Sequence, residues 1–261
     1  MVRVGVFGAG GRMGSEVCRA VVADPELELA AVVDPFHAGL DLGQVTGVDL
    51  HLQMAAGPEA LLEGGVEVAV DFTQVEAARQ NMAWLAANAI HAVVGTTGFT
   101  DADLDGLARA FNRSNAVIAP NFAIGAVLMM RFAELAAPYF DSAEIIELHH
   151  DQKIDAPSGT ALATAERMAA ASATWGADPT RSVVLEGARG ARGPGGIPIH
   201  SVRLRGLVAH QEVLLGTSGQ TLSIRHDSLD RSSFMPGVML AVKKVGDRPG
   251  LTVGLDALLD L

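Results

Sequence analysis

Apolar residues follow two different periods along this chain, and the way those periods alternate predicts its fold. Val2 to Phe7 is a short apolar run of strand type, followed at once by Gly8-Ala9-Gly10-Gly11-Arg12-Met13-Gly14. Met13, Val17 and Val21 then recur at a four-residue spacing, so a helix starts inside the glycine loop. It stops at Asp24-Pro25, where the proline restricts the residue before it. Leu27 to Val33 is a second strand, ending at Asp34. Val66 to Phe72, Ala89 to Val94 and Ala116 to Ala119 read as further strands, separated by helices over Gln74 to Asn88 and Asp101 to Arg113. Between Asp34 and Val66 the pattern is uneven, with an edge strand expected at Asp49 to Met54 and a short helix at Pro58 to Leu62. Strands alternating with helices in this way predict a parallel sheet.

After Ala123 the pattern changes. Ile124 to Tyr139 predicts a long apolar helix, and the half-alternating run Ala143 to Leu148 suits a strand. Pro157-Ser158-Gly159-Thr160 then opens a helix-forming run, Ala161 to Ala173. Ile199 to Leu204, Ala209 to Leu215 and Thr221 to His226 alternate, with Gly206 and Gly219 between them, which argues for antiparallel pairing in a second sheet. A last helix runs from about Asp230 to Val245. Leu251 to Val253 and Leu255 to Leu261 return to the edge of the first sheet. The fold class expected is α/β: a Rossmann-type parallel-sheet domain with an inserted α+β domain on a mostly antiparallel sheet. The plan is discontinuous: residues 1–123 and the return segment 231–261 build the parallel-sheet domain, and 124–230 form the insertion.

Composition narrows the partners. At 261 residues, 49% hydrophobic and 19% charged, the chain has the make-up of a soluble globular enzyme. Lys+Arg number 19 against Asp+Glu 30, a formal net charge of -11, so neither nucleic acid nor an anionic membrane is held by the bulk field. Anionic ligands must find local clusters of Arg, Lys and His instead. The single cysteine, Cys18, rules out an internal disulfide and a cysteine metal cluster. No apolar run is long enough to span a membrane, and no separate signal-peptide core precedes the first strand, so a reducing cytoplasm is expected.

Two stretches carry chemistry. Strand, glycine turn, helix, strand and acid is the order of a dinucleotide-binding unit. Gly8, Gly11 and Gly14 space the loop so that backbone N–H groups, with Ala9, Gly10 and Met13 among them, approach a pyrophosphate at a helix N-terminus. Asp34 is placed to accept from the adenine-ribose hydroxyls, where a 2′-phosphate is repelled, and Arg12 is the nearby cation. Phe72 and Phe122 are expected first as core or loop-packing residues, with walling of a nicotinamide pocket by either as the alternative. The second stretch, Glu147 to Ala161, joins His149 and His150, a residue type able to give or take a proton, to the fixed charge of Lys153. Ser158 or a neighbour caps the next helix, so donors of Ser158, Gly159 and Thr160 and the helix's positive end suit an anion. A small dianion with a proton to accept is the expected ligand. Adjacent histidines on a strand point to opposite faces and a third ligand is missing, so no metal is expected. Arg189 and Arg192, in the glycine-rich loop Gly187 to Gly196, are expected to close on an anion.

Five motifs together resemble the dihydrodipicolinate reductase family over essentially the full length: Gly8 to Gly14, Asp71-Phe72-Thr73, Gly95-Thr96-Thr97-Gly98, Ala119 to Gly125, and Glu147 to Ala161. The first is shared by many dehydrogenases; the last is highly specific to that family. The resemblance implies hydride transfer from NADH or NADPH to 4-hydroxy-tetrahydrodipicolinate or dihydrodipicolinate, giving tetrahydrodipicolinate in the diaminopimelate route to lysine. It implies that His149 is the general acid, with Lys153 sharing in protonation. His150, Lys153, Gly159 and Thr160 would hold the substrate's two carboxylates. Gly95, Thr96, Thr97, Ala119, Pro120, Asn121 and Phe122 lie in motifs that the family places on the nicotinamide side. A homotetramer, joined through the sheets of the second domain, is also implied. Some relatives carry a basic residue at the position of Gly10 or just beyond Asp34. This chain has neither, so NADH is expected to serve at least as well as NADPH.

Overall fold

A computed structural model describes residues 1–259. The chain divides into two compact units, Met1–Phe122 with Phe234–Leu261, and Ala123–Ser233. In the first unit, β1 (Val2–Phe7) leads through the glycine loop to α1 (Arg12–Ala23), which buries Val17, Cys18 and Val21. β2 (Leu27–Val33) pairs in parallel with β1. Two short helices follow, α2 (Leu42–Thr46) and α3 (Glu59–Glu63). Asp49 to Met54 does not form the expected edge strand. The Leu50 N–H bonds locally to the Val48 carbonyl, and Leu52 and Met54 exchange backbone hydrogen bonds with Gly39, Leu40 and Leu42. Among the described residues only isolated bridges form, at Gln53 to Asp41 and at Ala55 to Val33. β3 (Val68–Asp71), α4 (Val75–Ala87), β4 (His91–Val94), α5 (Asp101–Ala110) and β5 (Ala116–Ile118) continue the alternation. β3 and β5 are buried along their whole length, as parallel strands covered on both faces should be.

The second unit starts with α6 (Ile124–Ala136). The expected helix to Tyr139 ends early, because Pro138 supplies no N–H and the chain tightens into a 3-10 turn over Ala137–Tyr139. β6 (Ser142–His149), α7 (Gly159–Ala171), β7 (Ala191–Arg192), β8 (Pro198–Arg203), β9 (Ala209–Thr217) and β10 (Gln220–Ser228) follow. The sheet order is β10-β9-β6-β8-β7, antiparallel except for the β6–β8 pair. Ser218-Gly219 closes the β9–β10 hairpin, and the φ of +81° at Gly219 is the left-handed conformation that such a tight turn needs. Ile145, Met168, Ile199, Val213 and Leu215 are buried in this unit.

The chain then returns through α8 (Met235–Lys244) and β11 (Leu251–Val253). β11 pairs with β5, completing a six-stranded, all-parallel sheet in the order β11-β5-β4-β3-β1-β2. Leu255 to Leu261 is not a strand over its described part. Gly254, at φ +92°, turns the chain, and Asp256–Leu258 form a 3-10 turn that buries Leu258; residues 260 and 261 lie outside the described residues. In this sheet β1 is flanked by β2 on one side and β3 on the other, the switch point where ligands bind beyond the strands' carboxyl ends. Among the described residues no helix is long and apolar enough to cross a membrane.

Candidate active site

In the second unit the chemistry collects at the end of β6. Alternation along this strand buries Ala143, Ile145 and Glu147 on one face, so a fully enclosed carboxylate stands at an apolar register. A charge in that place needs partners. Arg203, opposite His149 in the β6–β8 register, donates Nη1 to Glu147 Oε2 at 2.8 Å and Nη2 to Oε1 at 2.9 Å. The Ser158 N–H donates to Oε1 at 3.2 Å, and His149 Nδ1 stands 2.5 Å from Oε2. Burial alone would push the Glu147 carboxyl up, but hydrogen bonds from His149, Arg203 and Ser201 outweigh it and hold the group down at about 2. Glu147 is therefore an acceptor at neutral pH, and the proton between the two groups sits on His149 Nδ1. Nε2 is the ring nitrogen left for proton exchange.

The depressed Glu147 carboxyl also fixes an acid limit on stability. Between about 4.5 and about 2 the unfolded chain binds a proton that the folded chain does not. Glu147's contribution is thus complete above that window and lost as pH falls through it. Glu147→Gln should flatten this part of a plot of denaturant midpoint against pH. An unchanged slope would place the acid sensitivity elsewhere.

The chain bends directly after His149. His150 is exposed, its Nδ1 accepts from the Gln152 N–H at 3.2 Å, and the Lys153 N–H donates back to the His150 carbonyl. One histidine is buttressed by a carboxylate and the other faces water. Lys153 Nζ donates to both oxygens of Asp155 at 2.8 Å. Ser158 is buried, and its Oγ caps α7 by accepting from the Ala161 N–H at 3.2 Å. Gly159 and Thr160 form the helix's first turn. A Cβ on Gly159 would meet no atom within 4 Å, so the positive end of α7 is open to an anion there.

Arg189 is already engaged: it pairs with Glu144 of β6 and, at 3.3 Å, with Asp178, while Glu144 also takes His200 Nε2 at 2.6 Å. The arginine loop is tied to the protein's own carboxylates. With Arg192 it borders a cleft of about 560 Å³ around Trp175 that contains none of the His149 group.

In the first unit, Gly8, Asp34, Phe72, Gly95 and Ala119 each follow a strand of the parallel sheet. Gly8 turns at φ +66°, Gly11 is the N-cap of α1, and a Cβ on Gly14 would overlap the Gly8 carbonyl. That packing keeps Ala9, Gly10 and the exposed Arg12 at the start of α1 close to where a phosphate would sit. Asp34, nearly buried, accepts from the Gly10 N–H at 2.9 Å and the Phe36 N–H at 3.1 Å. Asp71 holds the next loop, accepting from the Thr73 N–H at 2.7 Å and from Asn81 Nδ2 at 2.7 Å, and Thr96 Oγ1 donates to the Thr73 carbonyl at 2.8 Å. Phe72 packs tilted on buried Phe122, with ring centroids 5.7 Å apart, and a Cβ on Gly95 would overlap the Phe72 ring. Met13, Phe72, Gly95, Thr96 and Thr97 border a cleft of about 490 Å³, and Pro120 is exposed in the loop after β5, just before Asn121. A glycine cradle that a Cβ would fill, an acid beside it and an aromatic-walled cleft fit a nicotinamide dinucleotide.

The comparisons with known proteins agree with this arrangement. Residues 2–122 match the model for the N-terminus of dihydrodipicolinate reductase, and 125–259 that for its C-terminus. The chain belongs to the dihydrodipicolinate reductase family. It is an oxidoreductase with a nucleotide cofactor. It is 53% identical to the 4-hydroxy-tetrahydrodipicolinate reductase of Nocardia farcinica, covering 100% of this chain and 99% of that one, and 49% identical to that of Streptomyces coelicolor, covering 100% and 98%. A dipicolinate-bound dihydrodipicolinate reductase from Paenisporosarcina sp. TG-14 superposes with a TM-score of 0.86 at 41% identity, covering 98% of this chain and 99% of that one. Glu147 and Arg203 were not among the site residues expected for this family member. The signal was the Glu-x-His spacing, which puts both side chains on one face of a strand.

Proposed function

We propose that this chain reduces dihydrodipicolinate, taken up as such or formed from 4-hydroxy-tetrahydrodipicolinate by loss of water, to tetrahydrodipicolinate, in the cytoplasm, as a step toward diaminopimelate and lysine. The observation that carries this reading is one short segment that joins the Glu147–His149 pair to Lys153 and the open first turn of α7. Reduced nicotinamide, when bound, supplies the hydride. Lys153, Gly159 and Thr160 hold one carboxylate of the ring, and His150 reaches the other from the bend after β6. His149 Nε2 delivers the proton, while Glu147 holds Nδ1. Ser158 serves from behind, by capping α7 and donating to Glu147. A coupled assay tests this: pyruvate, aspartate semialdehyde and the preceding synthase are supplied, and consumption of each reduced cofactor is followed. No consumption above the synthase-free control would defeat the proposal.

NADH serves at least as well as NADPH in this reading, because Asp34 stands at the ribose position with no arginine beside it. Asp34→Ala should weaken NADH more than NADPH. A wild-type kcat/KM tenfold higher for NADPH, about 1.4 kcal/mol in the opposite sense, would overturn it. The working form is a homotetramer joined through the second-unit sheet. Supporting this, Leu222 on outer strand β10 exposes apolar surface. Sedimentation at micromolar concentration should give four chains, and a stable monomer would rule it out.

A further inference from the structure

The 3-10 turn Pro35–His37 folds back over the glycine loop. His37 Nδ1 lies 3.1 Å from Asp34 Oδ1, within ion-pair reach but off the line of a hydrogen bond, and it is enclosed without a hydrogen-bond partner. A Cβ on Gly10 would come within 2.5 Å of that nitrogen and 2.9 Å of Asp34 Oδ2. His37, Asp34 and the Gly10 backbone are therefore packed against one another, and the space above Gly10 belongs to the imidazole. The His37 side chain remains 37% exposed, so the rest of its ring is open to a ligand, while Asp34 is 6% exposed. Other charged groups on neighbouring elements are Arg12, which begins α1, and Asp41, which lies 3.3 Å from His51.

Resting on the dinucleotide reading above, we infer that His37 reads the 2′ position of the adenosine ribose. With the ring neutral, the Asp34 carboxylate, which takes the Gly10 and Phe36 N–H groups, keeps its full negative charge beside the ribose position: its remaining lone pairs accept from a 2′-hydroxyl and its charge repels a 2′-phosphate. With the ring protonated, imidazolium and carboxylate cancel, and the exposed edge of the ring offers a donor and a positive charge to the phosphate. The preference between the two cofactors then depends on pH, and the sign follows: acidification favours NADPH relative to NADH. The 2′-phosphate has its own ionisation near pH 6, so the effect of His37 is the difference between the wild type and a variant that lacks the imidazole.

The test is equilibrium binding, without substrate, by fluorescence titration of NADH and of NADPH between pH 6 and pH 8. In the wild type the ratio of NADPH to NADH affinity should rise by about fivefold more on acidification than in His37→Gln, the scale of one partly exposed charge pair. His37→Arg, which keeps a cation at every pH, should hold the ratio high, with only the phosphate's own dependence left. Parallel pH curves for wild type and His37→Gln would overturn the assignment. So would a gain of NADH and NADPH affinity by equal factors in His37→Gln, which would make the ring a simple obstruction. If neither dinucleotide binds the wild type, the dinucleotide reading itself fails, an outcome distinct from parallel curves.

Discussion

His149→Ala should lower kcat by about 10² or more while KM changes less, the scale on which a positioned general acid acts. The argument rests on the asymmetry of its two ring nitrogens. Nδ1 is fixed by Glu147 at 2.5 Å, so the proton that leaves must leave from Nε2. Glu147 is itself fixed by both arms of Arg203 and the Ser158 N–H, which holds the imidazole in one orientation. Glu147→Gln should therefore lower kcat by roughly tenfold or more with KM nearly kept, since the amide leaves an imidazolium without its charge partner. Glu147→Asp should recover part of that loss. His150→Ala is the comparison: its ring lies in the turn, where Nδ1 accepts from the Gln152 N–H, and in this reading it holds a carboxylate. Its loss should therefore fall mainly on KM, with a smaller fall in kcat than His149→Ala gives. If His150→Ala lost kcat and His149→Ala kept it, the acid would be His150. NADH affinity should be unchanged in both, because the glycine loop belongs to the other unit.

What could be read beforehand followed the range of the interactions involved. The parallel sheet, the hairpin at Ser218-Gly219 and the helix starts at Gly11 and Ser158 are written in adjacent residues, and pattern reading finds them. The uneven pattern at Asp49 to Met54 predicts an edge strand. The hydrogen bonds of Leu52 and Met54, however, go to the 39–42 loop, a choice made by chain path and not by residue type. The site shows the same division. His149, Lys153 and the turn at Ser158 are close in sequence, but Glu147 takes its charge partner from Arg203, 56 residues away and brought in by the parallel β6–β8 register. Arg189 looked available for a ligand. Its partners, Glu144 and Asp178, become visible only once β6 and the loop are folded.

Lys153→Ala should raise KM for the dicarboxylate by about 10- to 100-fold, since a charge-assisted hydrogen bond contributes about 1.5–3 kcal/mol. A fall in kcat should accompany it, because a ring held by one end less sits in the reactive orientation less often. The ligand-free geometry adds a second, opposite prediction. Lys153 Nζ is held by both oxygens of Asp155, and that pairing lowers the Asp155 carboxyl below its usual range. A substrate carboxylate must displace Asp155 from the ammonium, so the pair competes with binding. Asp155 is 57% exposed, and a pair open to water contributes only about 0.2–1 kcal/mol. Asp155→Asn should accordingly lower KM by roughly two- to fivefold and leave kcat near the wild-type value. The double variant Lys153→Ala with Asp155→Asn separates this competition from a general loss of shape. With the lysine gone, the asparagine should give no further gain, and its KM should match that of Lys153→Ala alone. A KM that rises in Asp155→Asn would mean that Asp155 orients Lys153 for the substrate and does not occupy its place.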